Sequence, residues 1–216
     1  MTKIQPRGKT GCRRQPAFFL LFLLSKPLTM TAKPIFLLFV AALLLAACTK
    51  GDDQPAEKPI LSLLQQSNIL IDTMEAATDW IYGFQFKVNN DGAIGQIGMK
   101  VPVTGSFTAK LWDVSANEVL KEVSLTANTL HEEVFESFDN IAVTADQTLG
   151  ITITANGFYK ISKTDNSPFT FPIQKNTISI LSFHEAKVSE IPGGAFPLTT
   201  NNEELSPCVD VVFIDQ

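Results

Sequence analysis

From Trp80 onward the chain alternates apolar and polar positions with a period of two, the mark of strands that bury one face. Phe84, Phe86 and Val88 share one face, with Gln85 and Lys87 on the other. Asn89-Asn90-Asp91-Gly92 then supplies turn chemistry. Ile97, Met99 and Val101 repeat the alternation up to Pro102 and Gly105. Phe107, Ala109 and Leu111 make a third strand, and Asn117 marks the next turn. Further strands are expected at Val119–Leu125, Glu133–Phe138, Leu149–Ala155, Gly157–Ile161, Ile178–Phe183 and Val209–Ile214. A strand roughly every 10–14 residues, with turn residues between, is the spacing of a sandwich or barrel. Only Ser62–Gln66 and Asp72–Thr78 suggest helix, and both are short. No amphipathic stretch of crossover length separates the strands, which excludes a parallel α/β sheet. The expectation is all-β: one antiparallel, jelly-roll-like β-sandwich over residues 60–216.

Charge divides the chain differently. All three arginines (Arg7, Arg13, Arg14) precede Cys48, and no Asp or Glu does. The whole chain carries −5, but residues 48–216 hold 10 Lys against 22 carboxylates, a balance of −12. A basic, acid-free head on an acidic body reads as a targeting segment and its cargo. Met30-Thr31-Ala32-Lys33 is a short basic start and Pro34–Leu45 an apolar run of signal-peptide length. Leu45-Ala46-Ala47-Cys48 resembles the lipobox of bacterial lipoproteins. Small residues before the cut fit a narrow peptidase pocket, and the Cys48 thiol is the nucleophile that takes the lipid. The apolar run is short for a membrane span. Residues 30–47 are therefore expected to be a signal peptide and Cys48 the lipid anchor. Residues 1–29 contain another apolar run, Ala17–Leu24, without a cleavage site. They read as a mis-annotated leader upstream of a start at Met30, a start at Met1 being the alternative. Residues 48–59, with Pro55, Pro59 and several charges, read as a lipidated flexible tether. Asp52-Asp53 resembles the surface-export signal of Bacteroidota lipoproteins, which implies an outer-membrane, outward-facing location with the leaflet left open.

After cleavage and lipidation Cys208 is the lone free cysteine, so the domain is expected to stand on its core rather than on a disulfide. Three blocks occur in order: Trp80-Ile81-Tyr82-Gly83-Phe84-Gln85-Phe86 with Asp91-Gly92, then Leu111-Trp112-Asp113, then Gly193-Gly194-Ala195-Phe196-Pro197 running to Val209-Asp210-Val211-Val212-Phe213. Together they resemble the family catalogued as domain of unknown function 4082, over about residues 78–215. The resemblance implies a β-sandwich of the kind found beside carbohydrate-active and cell-surface modules, with no activity attached. One departure is Leu205-Ser206-Pro207-Cys208, where family members tend to carry aromatics; it implies a poorer stacking surface.

Little in the body points to catalysis. His131 and His184 lie far apart, without zinc-ligand spacing, and no Gly-x-Ser-x-Gly elbow occurs. Glu132-Glu133 and Glu203-Glu204 are adjacent pairs, which a strand splits between opposite faces, so neither makes a glycosidase dyad. No cofactor is expected. Asn89–Gly92 and Thr164–Ser167 are oxygen-rich enough for a structural calcium and serve equally well as turns. Residues 48–216 lack arginine and are acidic, which disfavours nucleic acid. Sugar rings stack on aromatic faces, which makes Trp112, Trp80, Tyr82 and Tyr159 the candidate ligand residues. Trp112 is out of phase with Phe107 and Leu111, and the other three are expected near strand ends. The expected function is a non-enzymatic, lipid-anchored surface module that binds a glycan or a partner protein. An accessory envelope lipoprotein without a small ligand is the alternative, and a glycan-acting hydrolase the third.

Overall fold

The alternation becomes two antiparallel sheets packed face to face. The computed structural model describes residues 56–191 and 194–215. The expected leader, the signal peptide, Cys48 and residues 48–55 of the tether lie outside them. The chain runs through α1 (Pro59–Leu64), β1 (Ile69–Val88), β2 (Gly92–Lys100), β3 (Gly105–Asp113), β4 (Glu118–Ala127) and β5 (Glu133–Val143). It continues with β6 (Thr148–Lys163), β7 (Ile173–Lys175), β8 (Ile178–Lys187), a 3-10 turn (Val188–Glu190), β9 (Thr200–Asn201) and β10 (Val209–Asp215). The large sheet has the order β4-β3-β6-β1-β8-β7, with β9 also paired to β8, and the small sheet the order β10-β2-β5. The turn at Asn89–Asp91 is a crossing between sheets rather than a hairpin. It is tied down by the Ala145 N–H donating to Asp91 Oδ1 (2.8 Å) and by Asn90 Nδ2 donating to Asp215 Oδ2 (2.9 Å). Among the described residues no helix is long and apolar enough to cross a membrane.

Two expectations change here. Asp72–Thr78 is strand, not helix, and the expected strands Leu149–Ala155 and Gly157–Ile161 are one. Both follow from the same pairing: Ile69–Glu75 matches Gly157–Lys163 residue by residue, and a bulge between Glu75 and Trp80 carries the register on to Ala155. Ladder hydrogen bonds along a strand partner override local helix preference. The other helical reading holds in part, shifted to Pro59–Leu64.

Phe84, Phe86, Leu111, Leu149 and Ile151 of the large sheet share one buried cluster with Ile94, Ile97, Met99, Val211 and Phe213 of the small sheet. Extra residues at Gly95 and Leu181 break the registers of β2 and β8. Each break resets the alternation, so Ile94 with Ile97, and Ile180 with Phe183, are buried at a spacing of three. The small sheet is too narrow to cover the large one. Ile60 and Leu63 of α1 and the segment Leu205–Cys208 complete the cover, with Leu205 bridged to Ile161. Leu205–Cys208 is thus core, not the poor stacking surface expected from the resemblance.

A latch joins the two ends of the body. The Ile60 and Leu61 N–H groups at the start of α1 donate to the Asp210 carboxylate of β10, at 3.2 and 2.9 Å. Lys58, the residue at the helix cap, makes no side-chain cap itself, so Asp210 caps the helix from 150 residues away. Glu57 pairs with Phe213 in both directions (2.8 and 3.1 Å), and its carboxylate accepts from Thr177 Oγ1 at 2.8 Å. Among the described residues this pairing begins at Glu57, inside the stretch read as tether, and it extends the small sheet.

Burial pushes the Asp210 carboxyl up to about 7, with the Leu61, Ile60 and Val211 amides and Lys58 pulling the other way. An acid with a raised folded value contributes stability that is full below its unfolded value near 3.8 and is lost as pH rises through about 7. Asp210→Ala should cost about 1–2 kcal/mol for the lost cap. Asp210→Asn, which has no proton to lose, should gain on the parent as the pH is raised from 5 to 8 in urea titrations. A pH-independent difference would mean that water reaches the carboxyl.

Candidate functional site

The four candidate aromatics do not form an open platform. Trp80 and Tyr82 are stacked neighbours on β1, 6.2 Å apart with ring planes 10° from parallel. Tyr82 is 1% exposed, packs on Phe158 at 4.7 Å and has its phenol raised by burial. Tyr159 is buried, and its hydroxyl lies 2.7 Å from His131 Nδ1 with its phenol pushed up to about 12. Trp80 is half-buried beneath Lys187 Nζ, 5.5 Å from its ring. These three lie within long strands rather than at strand ends, because β1 and β6 run on through the segments read as helix and break. Trp112, as its phase indicates, points to the opposite, outer face of the large sheet. It is nevertheless 4% exposed and donates from Nε1 to Thr152 Oγ1 at 2.9 Å.

What covers Trp112 was not foreseen. The segment between the 3-10 turn and β9 returns across the outer face and lays Phe196 between Trp112 and His184. The Phe196 centroid is 6.0 Å from Trp112 and 5.1 Å from His184, edge-on to both. Two register rows build the site: Trp112, Gly150, Gln85 and Ser182, then Lys110, Thr152, Gly83 and His184. A Cβ at Gly150 would collide with the Phe196 ring, so this glycine makes room for the phenyl group. The Phe196 N–H donates to Asn117 Oδ1 at 3.4 Å. Gly83, Trp112 and Phe196 come from the three separate sequence blocks and meet here. A signal for this face was present in Gly150-x-Thr152-x-Thr154, which sets small and polar residues opposite Leu149, Ile151 and Ile153.

His184 is 5% exposed. Its Nε2 lies 2.7 Å from Ser182 Oγ, and its Nδ1 is buried with no hydrogen-bond partner. The spacing suits a nucleophile and its base, but no carboxylate orients the ring from Nδ1, and Phe196 lies against it. Three of the four carboxylates in the acidic pairs are committed elsewhere. Glu132 accepts from the Asn128 and Thr129 N–H groups, Glu133 meets Lys100 at 3.0 Å, and Glu204 meets Lys160. Asp91 locks a crossing, and Asp165 accepts from Ser167, which holds its carboxyl below the usual range. Among the described residues no three His, Cys, Asp or Glu side chains converge as metal ligands would. Cys208 is buried, and burial pushes its thiol up to about 12.

A second feature is open to solvent. β8 pairs with β1 only from Trp80 onward, so among the described residues Ile69–Asp79 has β6 on one side and no strand on the other. Leu70 (49% exposed), Ile71 and Met74 (43%) lie on this half-strand among Asp72, Glu75 and Asp79. Near the bulge, Asp79, Thr104, Ser106, Thr108, Thr154 and Asn156 line a shallow polar cleft.

No family model matches the chain, and no curated protein matches it. The resemblance of the three blocks to the domain-of-unknown-function family gains no support from these comparisons.

Burial lowers the His184 imidazole from its ordinary 6.5, with the Pro197 and Leu198 backbone pulling more weakly the other way. A lowered folded value means that this group supports the fold above about pH 6.5 and withdraws that support as pH falls further. The parent should lose stability relative to His184→Gln between pH 7 and 5, opposite in sign to the Asp210 effect. Equal pH profiles would mean that the ring titrates as if in water.

Proposed function

We propose that this chain is a lipid-anchored, non-catalytic module of the outer envelope that holds a partner protein by strand addition along the open half of β1. The observation that carries this reading is the edge itself. Ile69–Glu75 offers about 23 Å of regular strand that, among the described residues, has no strand on one side, with the Ile69 N–H turned to the Gln66 carbonyl at 3.4 Å. Exposed edges are normally blunted by lysine, proline or a covering loop. This one has neither lysine nor proline and presents Leu70, Ile71 and Met74 instead. A strand added there would lie in line with β8, which ends opposite Trp80.

Charge selects the partner. Asp72, Glu75 and Asp79 lie along the edge of a strongly acidic domain. A second copy paired antiparallel on the same segment would bring Asp72 within two residues of an acid of its mate in every well-overlapped register. The fitting occupant is an extended segment in which apolar residues alternate with lysine or arginine. The lipobox-like Leu45–Cys48 supports an anchor at Cys48. The chain between Cys48 and the paired Glu57 spans at most about 30 Å, which would keep the edge close to the membrane surface. Burial of Tyr82, Tyr159 and Trp112 weighs against an open glycan platform.

A photo-crosslinking residue at position 70 or 74 of the full chain, produced in its native cells, should give one discrete adduct that weakens with salt. The same residue at Leu198, 84% exposed, serves as the control and should give none. Equal labelling from all three positions, no adduct, or an adduct with a second copy would overturn the partner assignment. Cys48→Ser should release the protein from the membrane fraction, and its retention there would overturn the anchor.

A further inference from the structure

The space that Phe196 fills is built unlike the core. Its floor is Gly150 of β6, where a Cβ would meet the Phe196 ring, while Gly83 of β1 lies on the adjacent row between Thr152 and His184. Trp112 stands on one side of the ring and His184 on the other. Val114 also reaches the Gly150 floor, and the other side chains on these rows are polar: Thr152, Gln85 and Ser182, with Asn117 bonded to the Phe196 N–H. His184 Nδ1 is the one buried side-chain nitrogen or oxygen among the described residues that lacks a hydrogen bond. A buried polar atom left unpaired costs about 1–3 kcal/mol, and a phenyl ring cannot relieve it. Phe196 arrives on a segment bracketed by Gly194, at φ +69°, and Pro197, and the next residue, Leu198, is almost fully exposed. Its N–H bond to Asn117 is long at 3.4 Å. A ring, held by a short strap, thus occupies an aromatic-walled and hydroxyl-lined slot.

We propose that this slot is a binding site for a single sugar ring, and that Phe196 fills it when the site is empty. A pyranose has an apolar face to set against an aromatic ring and hydroxyls around its edge. Trp112, already oriented by its bond to Thr152, supplies the stacking surface. A sugar hydroxyl completes the hydrogen bonding of His184 Nδ1, and others reach Gln85, Ser182 and Asn117. A phenol from a partner protein would bring one hydroxyl to these four groups, whereas a sugar brings several. Binding displaces Phe196, so the strap sets affinity: the empty protein must first give up the phenyl contacts with Trp112 and His184. This site is independent of the β1 edge, on different residues and for a different ligand.

The test is a glycan array probed with the full chain in detergent, followed by titration of the methyl glycoside of the terminal sugar in the strongest hit. The parent should bind weakly. Phe196→Ala, which removes the plug without touching the walls, should bind the same glycoside at least about tenfold more tightly. Adding Gly150→Val to Phe196→Ala refills the floor and should abolish binding while the fold, followed by circular dichroism, is kept. Trp112→Ala should also lose binding, but the doubly substituted protein decides the question if that variant fails to fold. The proposal is overturned if Phe196→Ala gives no array signal or if binding survives Gly150→Val. It is equally overturned if N-acetyltyrosine amide competes as well as the glycoside.

Discussion

Three strands cannot cover six. At about 4.8 Å per strand, the small sheet spans roughly half the width of the large one, and most features of this protein are ways of dealing with the remainder. The apolar inner face of β1, β6 and β8 has to be buried, since leaving a large side chain in water forfeits about 1.5–3 kcal/mol. Helix α1 and the segment Leu205–Cys208 do this on one flank, with Ile60, Leu63, Leu205 and Cys208 all buried. Where neither reaches, the half-strand Ile69–Asp79 has, among the described residues, one strand neighbour and exposed apolar residues. The open edge thus follows from the unequal division of strands.

The outer face of the large sheet meets the opposite problem. Among the described residues no second sheet lies over it, yet Trp112 needs cover and its indole N–H needs a partner. Thr152 answers the second need and Phe196 the first. That cover brings His184 into an enclosure where Nδ1 makes no well-formed hydrogen bond, although the Pro197 and Leu198 backbone bears weakly on the ring. Two buried titratable groups therefore stand in contrast. Asp210 accepts three amide hydrogens and is tied to the helix it caps, whereas His184 faces an apolar ring. The first reads as structure, and the second as a site whose bonding is incomplete.

Alternation made the sandwich legible, because every strand with one buried face writes that face into the chain with a period of two. Phe84-Phe86-Val88, Ile97-Met99-Val101 and Phe107-Ala109-Leu111 all face the core as expected. The out-of-phase position of Trp112 also translated correctly into the outer face. Failures came where non-local pairing outweighed local signals. Asp72–Thr78 has helical neighbours in sequence but a strand partner in space, and Asn156 looks like a stop yet is carried through at a bulge. The bulges at Gly95 and Leu181 shift the phase without any mark that alternation can read. Phe196 was quoted as part of a block, but nothing local says that its ring crosses to Trp112. Gly150 beneath it was the available clue. Tyr82 and Tyr159 were misjudged for a single reason: their strands were thought to end beside them.

The latch between Glu57, Asp210 and Phe213 also bears on how the chain is made. Ribosomes deliver the N-terminal residues first, yet α1 has no cap and Glu57 no partner strand until β10 emerges. The strand that receives both is also the one that closes the small sheet on its β2 side. Folding of this domain consequently waits on the emergence of β10. A truncated polypeptide lacking only β10 would leave its first helix, and one edge of its core, without an owner.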